Sequence, residues 1–260
     1  VFALARSLSE QVGPLTAAAS VYLVGGGLCL ARLGWRGSFT RRVLALSRGH
    51  LVGCGLLFAL YTVTIYLAVG LAQDRGQLLE IALVNYLWPA GTILLSLPLL
   101  HRRAGVWLLP GTALALAGVF LVMTHGTRVS WEAFAVHLRT NPAAYVLALV
   151  AAAAWSLYSN LARRWTSPGG GGAVELFVPA TGLVLLLVRW FRPESGAWTA
   201  RAVVEAGVLA GITTLAYVLW DAAMREGDHR FVVACSYFTP LLSTLVSSAY
   251  LGVMPRSTLW

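Results

Sequence analysis

The sequence predicts an all-α, polytopic membrane protein, and three observations carry that prediction. The first is composition: the 260 residues are 58% hydrophobic and only 11% charged, whereas soluble domains run at roughly 45–50% apolar and about a quarter charged. A mean hydropathy of +0.74 leaves more apolar surface than a soluble fold can hide. The second is a succession of apolar runs of membrane-crossing length, about 20 residues each. The third is self-similarity between the two halves of the chain. No separate soluble domain fits in what remains.

In chain order, a half-length apolar run at 1–9 precedes seven long ones, at about 14–31, 50–72, 77–100, 105–124, 142–162, 173–190 and 203–223. An eighth runs from about 230 to 252, and residues 255–260 read as the opening of another helix. Val1 begins in mid-pattern, so no cleavable signal peptide is expected. Between 125 and 141 lies a polar linker, HGTRVSWEAFAVHLRTN, whose Trp131, Phe134 and Leu138 recur at helical spacing. That pattern predicts a short helix lying in the membrane interface.

A formal charge of +9 raises the question of nucleic acid, but the basic residues are scattered through short connections and form no basic face. The membrane reading of positive charge applies instead, and no nucleic-acid partner is expected. All 19 basic residues are arginine. Five of them (Arg32, Arg36, Arg41, Arg42, Arg48) crowd the 32–48 loop, and alternate connections add Arg102, Arg103, Arg163, Arg164, Arg225 and Arg230. This side is placed in the cytoplasm, which puts the 125–141 linker in the periplasm of a bacterial inner membrane. Cys29, Cys54 and Cys235 all fall within apolar runs, with neither disulfide nor metal spacing.

The halves repeat. A shift of 157 aligns Leu4-Ala5-Arg6 with Leu161-Ala162-Arg163, and a shift of 151 aligns NYLWP at 85–89 with SYFTP at 236–240. The second shift also pairs Thr62 with Thr213, Tyr66 with Tyr217, Thr92 with Ser243 and Ser96 with Ser247. Five helices per half, an odd number, force the halves into opposite orientations, an arrangement of transporters with the substrate near the midplane. The halves are 1–124 and 142–260, joined by the 125–141 linker. The same register predicts ten spans in the intact protein. The first helix would be partial here, its partner starting at Pro142, and the tenth would be largely missing.

Helix four places Asn85, Trp88, Thr92 and Ser96 on one face, and its repeat mate places Ser236, Thr239, Ser243 and Ser247 in register. Hydroxyls in membrane helices also bond back to their own backbone. Pro89 and Pro240 each free a carbonyl, which is tolerated where it lines protein or a wet cavity, so both are read as hinge or gating positions. Glu80 and Glu175 are placed in first turns, where a carboxylate suits the helix dipole, and stand as possible coupling groups. Asp221 with Arg225, and Arg201 with Glu205, are spaced as helix-end ion pairs. Of the histidines His50, His101, His125, His137 and His229, none lies mid-span, so no metal is expected. No cofactor motif is present either: Gly169 to Gly172 lacks the GK[ST] of a phosphate loop. The single Asn141-Pro142-Ala143 is explained by an N-cap Asn followed by a first-turn Pro.

ALVNYLWPAGTILLSLPLL at 82–100 and AAAAWSLYSNLARRW at 151–165 resemble the drug/metabolite transporter superfamily, EamA-like, and within it the YddG-type aromatic amino acid exporters. The resemblance implies ten helices in two inverted five-helix halves, cytoplasmic termini, and a central cavity reached by alternating access. Matching helices line that cavity, which assigns substrate contact to Asn85, Tyr86, Trp88, Trp155 and Tyr158, with Tyr66, Tyr217 and Tyr237 beside them.

Export of neutral, preferentially aromatic, amino acids by a monomer in the bilayer is therefore expected, without obligatory proton coupling. A multidrug or other metabolite efflux carrier of the same superfamily, with or without proton coupling, is the alternative. A cationic drug would favour a deep carboxylate, whereas a zwitterion would favour hydroxyls and backbone dipoles. An intramembrane protease would need a GxSG-like nucleophile and a mid-span histidine, so the chain is not expected to be an enzyme. A channel would need a filter-like loop.

Overall fold

Helix is the only regular structure among the described residues of the computed structural model, which are 2–35, 37, 39–102, 105–124, 131–166 and 172–242. The order is α1 (Phe2–Val12), α2 (Pro14–Trp35), α3 (Phe39–Ala45), a π-helical turn (Gly49–Cys54) running into α4 (Gly55–Leu71), α5 (Arg75–Asn85), α6 (Trp88–Leu99) and α7 (Leu108–Thr124). Then come α8 (Trp131–Thr140), α9 (Pro142–Trp165), α10 (Val174–Phe191), α11 (Ala200–Glu226) and α12 (His229–Ser236). Among the described residues, six stretches are long and apolar enough to cross a membrane: Pro14–Trp35, Gly49–Leu71, Gly76–Leu99, Pro142–Trp165, Val174–Phe191 and Ala200–Glu226. The apolar stretches Pro110–Val122 and Arg230–Leu242 are shorter. Leu56, Leu183, Leu187, Leu215 and Leu219 point outward, each more than half exposed, as lipid-facing positions do. The chain is a multi-pass membrane protein. Ser243, Ser247 and the helix expected at 255–260 lie outside the described residues, as do His125 and Gly169 to Gly171.

Two pairs of helices form the frame: α2 lies along α10, and α4 along α9. Small residues set the first spacing. A Cβ on Gly26 would stand 2.5 Å from Pro179 Cα, and one on Gly182 would stand 2.9 Å from the backbone nitrogen of Leu23. Backbones this close gain packing that hydrophobicity cannot supply inside lipid. α6 docks on α9 in the same way, with Gly91 facing Ser156, and α11 lies against α2. Helix ends are tied by distant side chains. The Glu194 carboxylate accepts from the amides of Leu15 (3.0 Å) and Thr16 (2.8 Å) at the start of α2. Arg163 donates to the carbonyls of Met224 and Gly227, both at 2.8 Å, at the end of α11.

One expectation needs correcting here. The run at 77–100 is not a single helix but two, α5 and α6, broken at Tyr86–Leu87. Pro89 has no N–H to give the carbonyl of Asn85, and the chain tightens: Leu87 N–H donates to Val84 O at 3.1 Å before Gly91 N–H returns to Leu87 O at 2.9 Å. The same pattern recurs 151 residues on, with Phe238 N–H to Cys235 O at 3.1 Å and Leu242 N–H to Phe238 O at 2.9 Å. Pro89 and Pro240 thus occupy matching places after matching breaks, and both are buried.

A helix does form in the linker, α8, an amphipathic segment with no buried residue, Trp131 and Leu138 exposed and Phe134 half-buried. Asn141 takes the N-cap position of α9, but its side chain does not cap: it donates instead to Leu71 O at 2.8 Å and Gln77 Oε1 at 3.2 Å. Cys29 and Cys54 are buried thiols, while Cys235 is exposed.

Candidate functional site

The frame surrounds one continuous aromatic cluster. Trp155 on α9 is its hub, with ring centroids 4.6 Å from Tyr61, 5.1 Å from Tyr158, 5.7 Å from Tyr217, 6.2 Å from Trp220 and 6.3 Å from Trp88. Trp88 and Trp220 meet edge to face at 5.2 Å and 90°, a geometry that aromatic quadrupoles favour. Phe58 closes the cluster from α4, at 5.0 Å from Tyr217 and 5.5 Å from Tyr158. Of the residues expected at the site, Trp88, Trp155, Tyr158, Tyr66 and Tyr217 are brought together here, Tyr66 through Tyr22 at 6.5 Å. Asn85 faces Tyr61, with its Oδ1 buried and unpartnered.

Others fall elsewhere. Tyr86 is buried and faces Thr239 across the two helix breaks. Tyr237 and Pro240 line a separate apolar groove of about 520 Å³ between α6, α7 and α12, together with Ile93, Leu108 and Val119. That groove holds none of the clustered aromatics. Three hydroxyls of the stripe bond their own backbone: Thr92 donates to Trp88 O at 2.8 Å, Ser96 to Ile93 O at 2.6 Å and Ser236 to Val233 O at 2.6 Å. Polar contacts that cross between helices here involve Ser156, Asn160 and Tyr22, none of them named as site residues beforehand. Ser156 donates to Trp88 O at 2.9 Å and Asn160 to Thr92 O at 3.0 Å. Tyr22 and Tyr217 share a bond of 2.5 Å. Ser156 and Asn160 sit one turn apart beside Trp155, a signal that was available; Tyr22, Phe58 and Trp220 carried none.

The carboxylates occupy the two ends. Glu80 was expected in a first turn, but α5 starts at Arg75 under an Asp74 cap, so Glu80 sits in the second turn and is buried. It is bonded by the Tyr145 hydroxyl and by His137 of α8 at 3.1 Å, and His137 also reaches Asp74 at 3.2 Å. The Gln77 amide, donating at 2.8 Å, holds the Asp74 carboxyl below its ordinary pKa. Glu175 lies in the first turn of α10, 3.4 Å from Arg32. Arg201–Glu205 and Asp221–Arg225 form the ion pairs their spacing predicts, at 2.8 and 2.9 Å, and Asp221 is only 4% exposed. Among the described residues, no cluster of three or more His, Cys, Asp or Glu could hold a metal ion.

Membrane-crossing helices folded around an aromatic core define the class as a multi-pass membrane protein, and comparison with known proteins finds transporters among those it resembles. Residues 1–124 match the EamA-like transporter family. The chain is 28% identical to the aromatic amino acid exporter YddG of Escherichia coli (strain K12) over 258 residues, covering 99% of this chain and 86% of that one. Against the exporter of the same name from Salmonella typhimurium it is 26% identical, with the same coverage. Against that of Ancylobacter novellus it is 29% identical over 248 residues, or 94% of this chain and 82% of that one. A crystal structure with 27% sequence identity superposes with a TM-score of 0.77, covering 99% of this chain and 86% of the other. The resemblance read from the two helical segments therefore extends over nearly the whole chain.

Proposed function

We propose that the protein exports neutral, preferentially aromatic, amino acids across a bacterial inner membrane, by alternating access and down the substrate gradient. The observation that carries this reading is the Trp88–Trp155–Tyr158–Tyr217 cluster, a buried aromatic surface at the meeting of α4, α6, α9 and α11. An indole or phenol ring stacked on it gains about 0.5–1.5 kcal/mol beyond its area burial.

The two halves, 1–124 and 142–260, work as inverted repeats in a monomer, with both termini of the intact protein cytoplasmic. Two features support the repeat: the matched breaks before Pro89 and Pro240, and the packing of α4 on α9 alongside that of α1 on α11, contacts which a twofold axis would exchange. The breaks serve as hinges.

Energy coupling to protons is not required. Glu80 is held by Tyr145 and His137, and Glu175 by Arg32, so neither carboxylate is free to be contested by substrate and proton. A second reading, efflux of cationic drugs, is favoured by one observation, the buried carboxylate of Asp221. Arg225 beside it keeps the pair neutral, which suits a zwitterion better. Uptake of phenylalanine, tryptophan, leucine and a lipophilic cation into liposomes holding the full-length protein separates the two. The proposal expects the aromatic amino acids to enter fastest, and preference for the cation would replace it with the drug reading.

A further inference from the structure

At the end of the bundle that carries Arg32 and Arg163, the π-helical turn, α9 and α11 gather buried polar atoms. His50 in the π-helical turn, Tyr158 on α9 and Asp221 on α11 are 1%, 1% and 4% exposed. Arg225 Nε holds Asp221 Oδ2 at 2.9 Å. The backbone of Gly172 closes over the same oxygen, since a Cβ there would stand 1.8 Å from it. The remaining atoms make no well-aligned hydrogen bond: Asp221 Oδ1, Tyr158 Oη and both ring nitrogens of His50. They are neighbours. Tyr158 faces Asp221, His50 stands in the field of Asp221 and Arg225, and both rings pack on Phe177 at 6.3 and 6.2 Å.

Buried polar atoms are nearly always satisfied, so acceptors gathered here without a well-aligned donor call for one. Their chemistry selects it. A carboxylate oxygen, a phenol oxygen and an imidazole nitrogen can all accept, and a primary ammonium offers three N–H donors. The aromatic faces of Trp155 and Phe177, 5.1 and 6.3 Å from Tyr158, suit a cation as well. His50 lies in a π-helical turn, a distortion frequent at functional sites. We propose that Asp221, Tyr158 and His50 form the subsite for the α-ammonium group of the substrate, whose side chain lies on the aromatic cluster. The identity of the substrate rests on the function proposed above; the ammonium site rests on this geometry. A zwitterion adds no net charge to the Asp221–Arg225 pair, whereas a bare amine adds one.

The test is binding to the purified full-length protein, followed by tryptophan fluorescence. The probes are phenylalanine, phenethylamine, which lacks the carboxylate, and 3-phenylpropionate, which lacks the amine. The wild type is expected to bind both amines at least tenfold more tightly than 3-phenylpropionate. Asp221→Asn is expected to weaken both by roughly tenfold, the worth of a charge-assisted hydrogen bond, and to leave 3-phenylpropionate unchanged. Tyr158→Phe keeps the ring and removes only the hydroxyl, so it tests the site even if Asp221→Asn fails to fold; a roughly threefold loss confined to the amines is expected. Equal binding of all three probes by the wild type, or a loss shared by all three in Tyr158→Phe, would overturn the proposal. Amine-selective binding of phenethylamine without any binding of phenylalanine would keep the ammonium site and remove the amino-acid reading.

Discussion

Tyr22 on α2 and Tyr217 on α11, 195 residues apart in sequence, share a hydrogen bond of 2.5 Å at the centre of the bundle. Thr62 on α4 donates to the same Tyr22 oxygen at 3.4 Å, so three helices meet at one phenol. Removing one hydroxyl leaves the other buried, at a cost of about 1–3 kcal/mol, whereas removing both is nearly neutral. Tyr22→Phe and Tyr217→Phe are each expected to lower the thermal unfolding midpoint in detergent, and the double variant to recover most of the loss. A double variant as unstable as the sum of the singles would show that the bond is not the link.

Recognition of the aromatic ring is expected to fall on Trp88 and Trp155, whose rings stand 6.3 Å apart. In cells sensitised to a toxic aromatic amino-acid analogue, Trp88→Ala and Trp155→Ala should each reduce resistance, with up to about a tenfold loss of preference for aromatic over aliphatic substrate. Unchanged resistance in both, at equal expression, would take these rings out of the site.

Much of this was legible in the sequence. Composition and run length required membrane helices, and the NYLWP and SYFTP repeats paired Pro89 with Pro240, though each was read within one unbroken helix. What could not be read is which side of an apolar span faces the centre. Phe58 and Leu56 lie in one uninterrupted run, yet one is fully buried and the other 67% exposed, because lipid and core are equally apolar. Tertiary partners were hidden for a similar reason: nothing local ties Glu80 to His137, 57 residues away. Asp221 was read correctly as the partner of Arg225, but α11 continues to Glu226 and carries the pair inside.

Close helix contact supplies a sharper test of packing. Gly26 and Gly27 are adjacent, but only Gly26 faces another backbone; a Cβ on Gly27 would meet nothing within 4 Å. Gly26→Ala is expected to destabilise by about 1–3 kcal/mol, the usual cost of overpacking, and Gly27→Ala to be neutral. Equal effects, measured as folded yield and unfolding midpoint, would place the α2–α10 contact elsewhere.

Acid sensitivity should arise partly at two helix caps. Asp74 caps α5 through Gln77, and Asp228 caps α12 through Phe231 at 2.9 Å, and these bonds hold both carboxyls below their ordinary pKa. The unfolded chain then takes up protons first, so the caps contribute fully above the ordinary carboxylate pKa, and their contribution is lost as pH falls through the lowered values. Asparagine caps without titrating. Asp74→Asn with Asp228→Asn is therefore expected to flatten the fall in unfolding midpoint between about pH 5 and 3. An unaltered profile would assign the acid sensitivity to other groups.

The central claim is downhill export of aromatic amino acids without obligatory proton exchange, and liposomes with equal phenylalanine on both sides and an imposed pH step test it most directly. Phenylalanine is expected to stay at equal concentration across the membrane, while the same vesicles exchange labelled phenylalanine rapidly, in the wild type and in Glu80→Gln alike. Accumulation driven by the pH step and abolished by Glu80→Gln would contradict it, and would make the carboxylate now bonded to Tyr145 and His137 the proton carrier.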